Sequence, residues 1–494
     1  MSLKAVILVG GAQKGTRFRP LSDLSLHKKC LFSIAGIPLI EHHIGFLCEL
    51  ENLSEILLLG FYPADEFTNF IDECRQKYRV PVRYLYEGEP LGTAGGLLKF
   101  EDEILAGNPK AAFVLNADVC GDLPVTEMVQ ELDSHSDAQG LLLTTEATRE
   151  QSINFGCVVL GLNGKVLHYV DKPTTFITSH ISCGIYLLRP QVWKYFHKLM
   201  RNGQVPSIWF ETDIFPDMAL DGTLHALWTT RWWSQAKNAA AALYANGHYL
   251  RLYQTRCPER LATGPNIIGD VFIDPTAEVH PTAKIGPNVS IEAGAKIGPG
   301  VRIRESIILP ECVLKAHCCV LYSVVGWRSI VGAWARIEGT PISPNPNIPF
   351  AKLDNKPLFN ENGRLNPSLT ILGSDVNVSD EQVILNTVVL PYKDLSCKSA
   401  GRGGPMGPLC GGGGAGAGGL GAATGAGGSV RTCVVPICCR SCWGAAGTGA
   451  GRIGPRLAST WIMGGRGRGL MGCGRTSAGL DSVGGGLTAG NLGG

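Results

Sequence analysis

Residues 280–300 read HPTAKIGPNVSIEAGAKIGPG, and the spacing within this stretch decides half of the fold. Ile285, Ile291 and Ile297 stand six residues apart, with glycine, proline and small residues filling the intervals. Outward from them, Ile267, Ile273, Val279 and Ile303 keep the same step. After a slip of one residue Ile308, Leu314 and Val320 continue it, and after another slip so do Val325, Val331 and Ile337. A strict six-residue period with small corner residues predicts a parallel β-helix, each coil being one turn of a triangular solenoid. Ordinary sandwich strands would not hold this register. The period breaks at GTPISPNPNIPFAKLDNKPLFNENGRLNPSLTILG, residues 339–373, and resumes at Leu372, Val378, Ile384 and Leu390. The break is rich in proline and asparagine, so residues 340–370 are expected to leave the solenoid as a long loop.

Residues 1–255 follow another rule. The short apolar runs KAVILVG, EILLLGF, VRYLY and AAFVLNAD alternate with PLIEHHIGFLCEL and EFTNFIDECRQKY, whose apolar residues recur at helical spacing. Such alternation predicts an α/β domain with a mostly parallel, Rossmann-like sheet. The predicted organisation is an α/β domain over 1–255, the repeat domain over 256–396 and a tail over 397–494. The tail holds 33 of the 64 glycines and 7 of the 17 cysteines of the chain, nine basic residues and one acid, Asp481. A segment of that composition does not bury enough apolar surface to order itself. It reads as a translated GC-rich stretch and receives no function.

At 494 residues with a net charge of +2, the composition offers no case for nucleic acid or an anionic membrane as partner. No apolar run reaches the length of a membrane span. The opening MSLKAVILVGG has too short an apolar core for a signal peptide and reads as a first strand. Ahead of the tail the cysteines are scattered without CxxC pairs at zinc spacing and read as reduced thiols, and the cytoplasm is the expected location.

The chemistry is concentrated in the first domain. LVGGAQKGTRFRPLS, residues 8–22, places glycines directly behind the first strand, where backbone N–H groups can approach phosphates, with Arg17 and Arg19 adding charge. Lys28 and Lys29 follow in LHKKCLF, and a second glycine cluster, LGTAGGL, opens a helix. FVLNADV ends a buried strand in an acid, Asp118. Ligands of open α/β sheets sit at the carboxyl ends of strands, which places Asp118 to hold Mg²⁺. Taken alone, an Asn-Asp turn explains it as well.

Together with NFGCVV, YVDKPTTF and ISCGIYLL, these motifs resemble in order and spacing the sugar-nucleotide pyrophosphorylases, whose second domain is a left-handed β-helix of hexapeptide repeats. The resemblance covers residues 3–396. Within that group the chain is similar to GDP-mannose pyrophosphorylase, and there to the α, or regulatory, branch. The resemblance implies a site for GDP-mannose, or for GTP and mannose 1-phosphate. Gly10, Gly11, Gly15, Thr16 and Arg17 would cradle the triphosphate, and Lys29 matches the lysine of the family's phosphate-binding element. Around that lysine the chain departs from the pattern, with Cys30 replacing a proline and two extra residues ahead of it. Gly92, Thr93, Gly95 and Gly96 would line the base, with Asn116 beside Asp118. Asp118 would be the metal ligand, and Gly156, Asp171, Lys172 and Gly184 would surround the sugar and its phosphate.

Other departures concern catalysis. Catalytic members carry a Trp-x-Asp element late in the domain whose acid completes the Mg²⁺ site; in TRWWSQAKNAAAALY, Ser234 is read at that position. A hydroxyl is a poor substitute for a carboxylate on a hard dication. Ser182 stands where catalytic relatives place a sugar-binding asparagine, and the AQK expansion lengthens the first loop. The resemblance therefore implies a subunit that binds nucleotide sugar and restrains a catalytic β partner, with the 340–370 loop reaching toward that partner. An active guanylyltransferase remains the alternative, with Asp213 as a conceivable substitute acid. An acyltransferase using His280 or His317 between coils is a third reading, and a damaged gene product a fourth.

Overall fold

The computed structural model describes residues 2–11, 18–22, 27–201, 207–341 and 368–396. Gly15, Thr16, Arg17, the AQK segment, nearly all of the 340–370 insertion and the 397–494 tail lie outside the described residues.

The apolar run behind the first methionine forms β1 (Leu3–Gly10) at the centre of a nine-stranded sheet. A small hairpin, β2 (Ser33–Ile34) and β3 (Ile37–Pro38), precedes β4 (Leu53–Gly60) and β5 (Val82–Tyr86). Next come β6 (Ala111–Asn116), β7 (Val119–Gly121) and β8 (Gly140–Glu146). β9 (Gly156–Leu160), β10 (Val166–Asp171), β11 (His180–Leu188), β12 (Leu224–Trp228) and β13 (Trp233–Gln235) complete the domain. β5, β4, β1 and β6 are parallel neighbours, so this half of the sheet has the predicted topology. Beyond β6 the strand direction reverses: β11 pairs antiparallel with β6, β8 and β9, and β12 runs parallel to β8. β1 and β4 are buried on both faces, as continuous Val/Ile/Leu runs require. Helices Leu39–Leu47 and Thr68–Lys77 cover the sheet within the spans predicted from helical spacing.

From Val271 to Leu395 the chain builds three all-parallel sheets of six, six and five strands, the faces of a triangular solenoid. The six-residue positions point inward, and Ile285, Ile291, Ile303, Ile308, Val320, Val325, Val331 and Ile337 are buried. Their sheet partners stand 18 residues apart in the first coils (Ile273 and Ile291) and 17 in later ones (Ile291 and Ile308, Ile308 and Val325). One-residue slips therefore mark coils with a tighter corner, and Glu305 and Tyr322 adopt positive φ there. The last coil slips too. Leu390, which the even count places inward, is exposed, and Val389 is fully buried opposite Leu372.

The stack continues across the insertion: Val325 pairs with Leu372 and Glu338 with Leu385, while Thr340 N donates to Ser368 O at 2.6 Å. Solenoid residues Phe272, Ile307, Val324 and Ile371 share one hydrophobic cluster with the sheet domain. Helix Ala239–Arg256 joins the two parts. Its fully buried Asn246 accepts from Ala35 N (2.8 Å) in the β2–β3 turn and from Ser290 Oγ (2.6 Å) in the solenoid. The turn itself uses Gly36 at φ +85°, where a side chain would overlap the Phe272 ring.

Candidate functional site

The carboxyl ends of β1, β4 and β6 open into a cleft of about 690 Å³. Of the residues expected there, Gly10, Gly11, Lys29, Gly92, Thr93, Asn116, Asp118, Gly156, Asp171, Lys172 and Gly184 line it. Gly95 does not: its N–H bonds the Ile208 carbonyl (3.2 Å), and its missing side chain lets the helix it opens sit against that segment. Gly11 is packed under the Phe61 ring, which occupies the space a Cβ would need. Gly92 (φ +89°) and Gly184 (φ +75°) are conformational requirements, and Gly184 also admits the Asn116 amide.

Lys29 and Asp118 form an ion pair of 2.8 Å between Nζ and Oδ2, both side chains largely shielded. Lys28, on the same segment, turns away to Glu66 (2.9 Å). Thus one of the two lysines enters the cleft, and it enters on the carboxylate expected to hold a metal. Asp171 is likewise paired, with Lys172 at 2.6 Å, and Lys172 N donates to Phe155 O.

The β13–β7 ladder corrects the reading of Ser234. Ser234 lies opposite Cys120 and Gln235 opposite Val119, the residue after Asp118. Because alternate residues of a strand face opposite sides, it is Gln235 that lines the cleft, whereas Ser234 does not. Trp233 is then the tryptophan of the Trp-x-Asp element, with its Nε1 donating to Cys183 O (3.0 Å). Two adjacent tryptophans left two registers open, and only the strand pairing separates them. Gln235 is buried, and its Oε1 has no hydrogen-bond partner among the described residues.

Asp213 is also reassigned. Its Oδ2 accepts from Trp209 N (2.8 Å) and its Oδ1 from Thr212 Oγ1 (3.0 Å), so it closes its own helical turn and does not line the cleft. The acid that does so is Glu211, whose Oε2 accepts from Thr93 Oγ1 (2.7 Å). Burial raises the Glu211 pKa despite that bond. Glu87, beneath Gly96, is pushed up to about 7 by burial, with the Lys99 charge opposing. Neither acid stood out in the sequence, since each is a single glutamate without a motif. Ser182 lines the cleft, and its Oγ accepts from Gly184 N (3.3 Å). His280 bonds Thr282 within its own corner, and His317 stacks on Trp334 at 4.3 Å.

A two-carboxylate Mg²⁺ site is not what these residues make. Asp118 is joined by an amide, its oxygen Oδ2 faces an ammonium, and the remaining acids are paired or buried. A neutral amide is a weaker donor than a carboxylate for a hard dication. The arrangement suits a polar, mixed-charge ligand, with Lys29, Lys172 and Lys237 among the lining side chains.

Two family models match the chain. Residues 4–245 match the model described as nucleotidyl transferase, and residues 267–402 the one described as GMPPB C-terminal domain. The chain is 51% identical over 416 residues to mannose-1-phosphate guanylyltransferase regulatory subunit alpha of Homo sapiens, covering 80% of this chain and 98% of that one. It is 48% identical over 415 residues to regulatory subunit alpha-B of Danio rerio, with the same coverage. Since the shared length runs through both the sheet domain and the solenoid, the chain belongs to the family of mannose-1-phosphate guanylyltransferase regulatory subunits alpha.

Proposed function

We propose that the chain is a regulatory subunit of mannose-1-phosphate guanylyltransferase that binds GDP-mannose in the cleft and restrains a catalytic β subunit. Its relatives are named regulatory subunits alpha of that enzyme. The observation that carries the reading is the cleft's own donor set: Gln235 beside Asp118, and Asp118 held by Lys29. Transfer of a nucleotidyl group needs charge neutralised on both sides of the reacting phosphorus. A site with Asp118 engaged and an amide at position 235 retains the means to hold a nucleotide sugar and lacks much of the means to turn one over. We assign no Mg²⁺-dependent step to it.

Product sensing further requires GDP-mannose to bind two states of the assembly with different affinity. The place of action in this reading is the cytoplasm. No helix among the described residues is long and apolar enough to cross a membrane. The test is an assay of pyrophosphate release from GTP and mannose 1-phosphate by the full chain, alongside calorimetric binding of GDP-mannose to the same sample. Binding without turnover is expected, together with inhibition of a catalytic β subunit that deepens as GDP-mannose is added. Turnover near that of a catalytic relative overturns the reading.

A further inference from the structure

At the end of β8 and β12 remote from the cleft, His135, Asp137 and His225 bring one ligand atom each within 4.8 Å of one another. We propose that these three residues form a zinc site.

His225 lies on β12 opposite Leu141 of β8 and forms a bridge to Lys165 on its other side. It is 4% exposed, and its Nδ1 has no hydrogen-bond partner among the described residues. Its Nε2 faces Asp137 Oδ2 at 3.5 Å. That separation is long for a hydrogen bond. It matches two ligands of one tetrahedral zinc, which stand about 3.3 Å apart when each bond is about 2.0–2.1 Å. The His135 ring lies 4.5 Å from the His225 ring, centre to centre, tilted by 35°. An imidazole so buried without partners is costly unless something accepts its lone pair.

The loop bearing two of the ligands is held in shape. Arg189 Nη1 donates to the carbonyls of His135 (3.2 Å), Ser136 (3.2 Å) and Ala138 (2.6 Å), and Nη2 to that of Leu132 (2.7 Å). Glu131 Oε1 stands 3.3 Å from His135 Nε2, the carboxylate–imidazole contact that orients metal-bound histidines. Two imidazoles and one carboxylate are a borderline-soft donor set that favours zinc over Mg²⁺ or Ca²⁺. The Lys165 ammonium is the opposing charge, lying close enough to act on both His225 and Asp137. A bound ion would tie helix Val125–Ser134 to the edge strand β12.

The test uses the full chain, purified without a histidine tag, stripped with chelator and titrated with Zn²⁺ against a chromophoric competitor. One Zn²⁺ per chain is expected. Asp137→Asn, at an exposed position, should weaken binding by about 100-fold or more, as should His135→Gln. Lys165→Gln should tighten it. Co²⁺ in place of zinc should show ligand-field bands without thiolate charge transfer. Absence of Zn²⁺ binding overturns the proposal. So does binding that Asp137→Asn and His135→Gln leave unchanged, or a thiolate spectrum placing the ion on cysteines.

Discussion

The ammonium of Lys29 stands 2.8 Å from Oδ2 of Asp118, a positive charge already seated on the acid from which a divalent ion would be hung. Across 89 residues of sequence the pair closes the floor of the cleft. It gives the site a cation without a metal.

Restoring the missing carboxylate tests this directly. Gln235→Asp places an acid in the buried position beside Asp118 and is expected to tighten Mn²⁺ binding by about tenfold, read by electron paramagnetic resonance. An unchanged Mn²⁺ affinity would show that Lys29, not the amide, controls the metal.

Lys29→Met removes the cation and leaves Asp118 facing the ligand's phosphates. GDP-mannose binding should weaken by about tenfold or more, the scale of a charge-assisted hydrogen bond. Adding Asp118→Asn should recover part of the loss, because the repulsion disappears with the carboxylate. Calorimetry of the four-member cycle measures that coupling, and strict additivity would refute it.

Glu292 supplies a pH dependence. It is buried where the solenoid meets the β2–β3 hairpin, and burial pushes its pKa up to about 7, with a bond from Ser33 opposing. A carboxyl raised in the folded state contributes stability fully present below its unfolded pKa, near 4.5, and lost as pH rises through 7. The chain should therefore lose up to roughly 3 kcal/mol across that window from this group. Glu292→Gln should flatten the loss, so the variant melts higher than the parent at pH 8 and little differently at pH 5. Parallel melting curves at both pH values would exclude it.

Asn246→Ala should cost about 2–3 kcal/mol, because it strands the Ala35 N–H in a buried setting and removes the Ser290 contact. Thermal unfolding should fall for sheet domain and solenoid together, since the residue bridges both. A separate early transition confined to one of them would contradict that linkage.

The solenoid was legible because its rule is periodic: each inward seat recurs, and an error of one residue, as at Leu390, stays local. Parallel β1, β4, β5 and β6 were legible as short apolar runs bounded by turn residues. The cleft was harder. Gly10, Asn116 and Asp118 lie at strand ends and declare themselves. Glu87, Glu211 and Gln235 reach the same space from remote segments, and only pairing and burial bring them in. Ser234 shows the limit most clearly: a doubled tryptophan offers two registers, and the opposing Cys120 chooses between them. The His135–His225 cluster, assembled from residues 90 apart, left no mark in the sequence.

Thr340 and Ser368 meet through a backbone hydrogen bond, and the strands on either side of residues 342–367 stack as neighbours. The inserted stretch thus behaves as a cassette spliced between two abutting ends. With its two ends abutting, a change in its length leaves the pitch of the coils unaltered.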